Sequence, residues 1–419
     1  MADPGLVEQY LTLGLRLGRH VDGLVDAYYG PRQYADRVQA ESVLPPDRLT
    51  ADARALLADI DAGVPLDTGE VPGSGSTGVT TGTDGTAPAR RRWLRAQVLG
   101  LVTTAAKLNG DAIGYADEVE ACYGVRPTRM PEEELLDAHR RLDEVLPGTG
   151  PLADRLVAWR EAHAVPVDKL RPAIDSLAED LRARTAALFG LPEGEHVEFE
   201  LVTDQPWSGF NYYLGNLSSR VAVNTDLPVL STSLAHLVAH EAYPGHHTEH
   251  TRKEVGLVRR RRWLEESIFL VGTPQCLLAE GLADLGLEVV MGRRPEAAVA
   301  EHLHALGIRY DTDVVGAVAV AGEALGGVRQ NAAFRLHEDG ADPEVVTDEV
   351  ARWGLLSRDR AAKSVEFLVH PTWRAYLTCY VEGLPLCRRF VGGDPTRFDR
   401  LLAEQLTPAD LRDDPALTG

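Results

Sequence analysis

Residues Ser233–His250 read SLAHLVAHEAYPGHHTEH. Five of the chain's 13 histidines fall there, at 236, 240, 246, 247 and 250. An apolar helical run leads into His240-Glu241. That is how the zinc-peptidase helix begins, with a histidine that binds metal and a neighbouring glutamate that serves as general base. The usual pattern places a second histidine four residues further on. Here that position is Pro244.

Geometry sets what the substitution demands. Two imidazoles sharing one zinc bring their nitrogens to within ~3.3 Å of each other. On an unbroken helix His246 would sit ~9 Å beyond His240 along the axis, and His247 ~10.5 Å beyond. Neither pair could share an ion. Pro244 has no N–H for the carbonyl of His240 and its ring crowds that carbonyl, while Gly245 tolerates backbone angles that other residues avoid. The sequence therefore predicts a break at Pro-Gly that folds the following histidine back toward His240. The second ligand is His246 or His247. His246 is preferred because it directly follows the glycine. His236 and His250 are assigned to the periphery or the surface.

A catalytic zinc generally needs a third protein ligand and one open position. Glu280, in QCLLAEGLADLGLEVV, lies on an apolar helical segment where an unpaired carboxylate would be costly. Gly281 and Gly286 would let that helix approach another closely. Asp284 shares the face of Glu280 one turn on and could accept the other ring N–H of a ligating histidine. The competing reading is a solvated acidic stripe of Glu280, Asp284 and Glu288.

Outward from this centre the pattern is helical. LVEQYLTLGLRLGRHVDGLVDAYYG has helical spacing up to Gly30-Pro31, and DRLTADARALLADIDA is a second amphipathic segment. Helical patterning resumes near Arg90 and runs to about Leu188, with Pro131, Pro151 and Pro172 marking breaks or first turns. The segment 63–89 is rich in Gly, Ser, Thr and Pro and is expected to be a mobile loop. Between 195 and 226 the period changes: HVEFELVT alternates, and FNYYLGNLSSRVAVNT reads as a hairpin, Phe210–Asn224, about a turn near Asn216–Ser219. The expectation is one mainly α domain over 1–419, with one small antiparallel β element beside the motif helix. Metal-site helices occupy 230–290 and a C-terminal helical lobe 291–419. The hairpin edge could pair with an extended peptide or simply cap the helices. Trp207, Tyr212 and Tyr213 are read as packing residues, and the run Arg259–Arg262 as a solvated helix face.

The 63 acidic residues against 43 basic give a net charge of −20, which argues against nucleic acid or anionic membrane as partners. No apolar run is long enough to span a bilayer, and MADPGLVEQY lacks the basic and apolar regions of a secretory signal. Cys122, Cys276, Cys379 and Cys387 show no CxxC spacing, as expected of reduced, buried thiols in a cytoplasmic protein.

HEAYPGHH at 240–247 resembles the signature of a bacterial family catalogued as domain of unknown function 885. Its members are regarded as helical zinc metallopeptidases, similar in fold to the carboxypeptidase Taq family. The resemblance extends over roughly residues 210–383, through RVAVNTDLP, AEGLADLGLE, VRQNAAFRLHEDG, GLLSRDRAAKSVEF and TCYVEG. It implies Glu280 as a metal ligand. The chain departs from the family in HPTWRAYLTCY, which keeps Thr378 and Tyr380 but has Tyr376 where Gln is usual, and in Glu249, also where Gln is common. Residues and resemblance together predict one zinc per chain, held by His240, His246 and Glu280, with Glu241 as general base on peptide or peptide-like substrates. Tyr380 is the candidate electrophile for the oxyanion, ahead of Tyr243 and His337. The rival expectations are a catalytically inactive binding protein on the same scaffold and a metal-dependent amidohydrolase of small molecules.

Overall fold

The segment expected to break does break, and the rest of the architecture is arranged around it. In the computed structural model, which describes residues 4–67, 87–205, 207–370 and 373–414, the motif helix runs Ser231–Glu241 and a new helix starts at His246–Lys253. Most of the loop expected over 63–89 lies outside the described residues, and a helix already begins at Ala87 (Ala87–Leu108).

Among the described residues the chain is mainly α-helical with two small sheets. One lies beside the motif, where a small antiparallel element was expected, but it is mixed because the 196–202 segment joins the hairpin in parallel. Its strands β2 (His196–Val202), β3 (Gly209–Gly215) and β4 (Ser218–Asn224) are ordered β2-β4-β3, with β2 parallel and β3 antiparallel to the central β4. Asn216 and Leu217 form the hairpin tip, both with positive φ (51° and 61°), as a two-residue turn matched to strand twist requires.

The second sheet corrects the helical reading of the first sixty residues. The first helix stops at Gly18, and Val25–Tyr28 is a strand, β1, paired antiparallel with β5 (Ile268–Leu270), Ala27 facing Phe269. VDAY is too short to show a period of its own. Its conformation is set by a partner some 240 residues away. Of the three prolines taken as breaks or first turns, Pro131 and Pro151 precede helices at Glu132–Val145 and Leu152–Ala162, whereas Pro172 lies inside Val167–Phe189.

The helix Pro274–Met291 is the central support, and its glycines do what their absent side chains permit. A Cβ on Gly281 would lie 2.4 Å from the backbone of Gly383, so the helix Thr378–Val391 crosses in direct backbone contact. A Cβ on Gly286 would lie 3.0 Å from the ring of Pro244, so the same helix packs on the motif break. One apolar cluster gathers Leu277, Leu282 and Leu285 with Phe390 and Phe398. Another gathers Leu234 and Val238 of the motif helix with Val221 and Val223 of β4 and Leu177 and Leu181 of the 167–189 helix. Glu280 and His240 meet where the two clusters adjoin. Among the described residues no helix is long and apolar enough to cross a membrane, and all four cysteines are free and buried.

Candidate functional site

The break is compact. Ala242 leaves helical geometry (φ −124°, ψ −77°), the Tyr243–Pro244 bond is cis, and the Gly245 N–H donates to the carbonyl of Ala239 at 2.9 Å. Gly245 is needed for proximity rather than for a left-handed backbone: its φ is −74°, but a Cβ would lie 1.9 Å from the carbonyl oxygen of His240. Thr248 then secures the return, its hydroxyl donating to the carbonyl of Ala242 at 2.9 Å.

The consequence is the geometry a shared ion requires. His240 Nε2 and His246 Nε2 lie 3.1 Å apart. Glu280 Oε2 lies 3.3 Å from the first and 3.9 Å from the second. His240, His246 and Glu280 can therefore present one donor atom each to a common point. Asp284 Oδ1 accepts the Nδ1–H of His240 at 2.8 Å, which turns Nε2 toward the common point. His236 reaches the same carboxylate at 3.5 Å from the more exposed side.

Three observations fit a cation at the common point. Two imidazole nitrogens 3.1 Å apart can share a proton, or turn both lone pairs to one cation. Glu280 Oε2 is buried and makes no directed hydrogen bond, an arrangement that is expensive unless an ion completes it. And burial drops the pKa of His246 to about 4, so this histidine is neutral and able to ligate. His240 moves the other way: burial lowers it, but the carboxylates of Asp284 and Glu280 together outweigh burial and raise it well above its ordinary value. The donor set, two nitrogens and one carboxylate, suits zinc.

His247, the other candidate second ligand, is not in this group. Being one position further round the helix it points the opposite way, where Nδ1 meets Ser219 Oγ and Nε2 meets Glu195 Oε2, each at 2.8 Å. Glu195 also accepts from Tyr243 at 2.7 Å and from Arg182 Nε at 2.7 Å. That removes Tyr243 from the oxyanion candidates as well. His337 is remote from the cluster, hydrogen-bonded to the carbonyl of Leu368 and stacked on Tyr115. His250 is buried against Tyr213 and Phe269.

Glu241 is buried at the end of the motif helix, where a Cβ on Gly209 of β3 would come 3.1 Å from its Oε1. Burial raises its pKa to about 7, with Glu280 and Asp284 adding to the rise and His240 opposing it. Tyr380 reaches the site at one remove. Its hydroxyl is 2.8 Å from that of Tyr376, and Tyr376 donates to Glu280 Oε1 at 2.8 Å. Burial keeps both phenols protonated. Tyr376, noted in the sequence only as a departure, is thus the tyrosine that holds the carboxylate.

Asp26 was not foreseen. It lies on β1, and burial first, then the charges of Glu280 and Glu241, raise its pKa to about 7. Nothing local in VDAY signals this, because the strand reaches the site only through its pairing with β5. Within the arginine run, Arg259 pairs with Glu254, and Arg261 lies over the Trp263 ring at 4.9 Å.

No family model matches the chain, and no curated protein matches it. Among solved structures it is similar to a protein of Colwellia psychrerythraea described as a "putative lipoprotein", with TM-score 0.50 and 15% identity over 90% of this chain and 71% of that one. It is also similar to a "putative lipoprotein of unknown function" from Shewanella oneidensis, with TM-score 0.43 and 12% identity over 88% and 72% of the two chains. The first likeness is one of fold alone.

Proposed function

We propose that the protein is a zinc-dependent hydrolase of peptide or peptide-like amide bonds, of the kind that the resemblance to the domain of unknown function 885 family implies. The observation that carries this reading is the convergence of His240 Nε2, His246 Nε2 and the buried Glu280 Oε2 beside a buried glutamate.

His240, His246 and Glu280 would hold the ion, and zinc bound there supplies the Lewis acidity that makes water a nucleophile near neutral pH. Glu241, buried next to His240 at the end of the motif helix, takes the proton of the attacking water and passes it to the leaving amine. Tyr380, partly exposed and protonated, donates to the developing oxyanion, and Tyr376 fixes both Tyr380 and the Glu280 carboxylate. The edge strand β3, which passes Glu241 at Gly209, offers backbone groups to an extended peptide. Four free, buried thiols support a cytoplasmic location.

The test is metal analysis of protein purified without a chelating tag, followed by hydrolysis of a peptide and amide library. About one zinc per chain is expected, with turnover in the wild type and none in Glu241→Gln, which keeps its zinc. Zinc without any Glu241-dependent turnover would instead identify a binding protein on the same scaffold. Products confined to small non-peptide amides would identify an amidohydrolase.

A further inference from the structure

Beside Tyr380, on the side away from Tyr376 and Glu280 in the chain of contacts, the structure contains a cavity of about 370 Å³. Its walls are largely apolar, with Leu142, Val318, Leu325 and Leu377 among them, but two guanidinium groups also line it, Arg160 and Arg329.

Both arginines lack a counter-charge. In an acidic chain most arginines find a carboxylate, as Arg90 does with Glu265, Arg182 with Glu195 and Arg388 with Glu323. Neither Arg160 nor Arg329 side chain has an ion pair, a hydrogen bond or a ring contact among the described residues. They are also the two described arginines whose pKa is lowered, in each case by burial first. Arg360 adds to the effect at Arg160, and Tyr380 opposes it at Arg329. Arg329 is exposed and Arg160 half-buried, so an incoming group can reach both. Two guanidiniums without a counter-charge on an otherwise apolar wall mark a place where an anion fits. Trp159 adds an aromatic surface to the same cavity. Two free guanidiniums on a largely apolar wall are complementary to a carboxylate carried by an apolar group.

We infer that this cavity is a substrate subsite that receives an apolar residue bearing a free carboxylate, held by Arg160 and Arg329, next to the hydroxyl of Tyr380. This inference rests on the hydrolase reading and narrows it: the preferred bond is the one preceding a peptide's C-terminal residue. The carboxylate could come from a chain terminus or from an acidic side chain. The apolar walls favour the terminus of a residue with an aliphatic or aromatic side chain.

Calorimetric titration of the zinc-loaded protein separates the possibilities, with N-acetylleucine, N-acetylleucinamide and the α-amide of N-acetylglutamic acid as probes. N-acetylleucine is expected to bind at least about tenfold more tightly than its amide, the difference that a charge-assisted contact supplies. Arg329→Gln and Arg160→Gln should each remove most of that preference while leaving the amide's affinity and the unfolding temperature unchanged. Glu241→Gln should keep the preference in full. A wild type that hydrolyses nothing but still prefers the acid would defeat the hydrolase reading and leave the subsite standing. Equal binding of acid and amide, no binding of any probe, or a preference that survives both arginine substitutions would overturn it. Tighter binding of the glutamic α-amide would overturn the assignment to a chain terminus.

Discussion

His246 and His247 are neighbours in the chain and opposites in the fold. His247 is at rest: both ring nitrogens are satisfied, and its partner Glu195 is itself saturated by Tyr243 and Arg182. His246 is unfinished. Its Nε2 faces another nitrogen at 3.1 Å, and the nearby carboxylate oxygen of Glu280 has no directed partner. His247 is fully buried and the His246 side chain is 13% exposed, yet burial lowers the pKa of both, so the pKa shift does not distinguish them. What does is whether the surrounding atoms close the hydrogen-bond account without an ion. A satisfied buried histidine is structure, and an unsatisfied pair beside an orphaned carboxylate is a site.

The sharpest way to break this contrast is to remove one ring from each side. His240→Ala should lower zinc affinity by more than ~100-fold, because losing even the hydrogen-bond partner of a ligand costs ~10–100-fold. Hydrolysis should vanish while the metal-free protein unfolds at nearly the same temperature. His247→Ala should do the reverse, keeping zinc near one per chain but losing roughly 2–3 kcal/mol of stability, since it leaves Glu195 short of a donor in the interior. Zinc binding by competition with a chromophoric chelator and unfolding by circular dichroism read the two quantities. If His247→Ala folds and yet loses its zinc, the division between the neighbours is wrong.

A smaller effect sharpens it. Asp284→Asn keeps the shape of the contact to His240 Nδ1 but removes its charge. Zinc affinity should fall by ~10–100-fold without loss of stoichiometry at saturating metal. An affinity unchanged in this variant would mean that His240 is oriented by something other than Asp284.

These contrasts also show what could be read before the fold was known. The break at Pro244-Gly245 was legible because a helix has a fixed rise, and two histidines six residues apart can share an ion only if it fails. Asp284 was legible for the same reason, one turn from Glu280. The choice between His246 and His247 was not: it depends on Ser219 and Glu195, brought in by β4 and the residue before β2. Asp26 and the β1–β5 pairing were invisible because 25–28 carries no period of its own and its partner lies at 268–270. Tyr376 was visible as a residue but not as a contact, since its approach to Glu280 needs the backbone crossing at Gly281 and Gly383. Local geometry could be derived from spacing. Partnerships made by distant segments could not.

The finest test of the resting side uses pH. Burial pushes the Glu195 carboxyl up, but hydrogen bonds from His247, Tyr243 and Arg182 outweigh it and hold the pKa at about 2. A carboxyl whose folded-state pKa is depressed binds its proton less readily in the native state than in the unfolded chain. Its contribution to stability is therefore complete above the ordinary value of 4.5 and drains away as pH falls toward about 2. Thermal unfolding of metal-free protein across that interval should show the wild type converging on Glu195→Gln, which lacks the titrating group, as the solution is acidified. Using metal-free protein keeps acid-driven release of any bound ion out of the comparison, and the remaining titratable groups behave alike in both proteins. Curves that stay parallel down to about pH 2 would mean that Glu195 is not held as an anion by its three donors. The account of His247 as a ring completed by the fold would then fail on its own terms, whatever the metal does at His246.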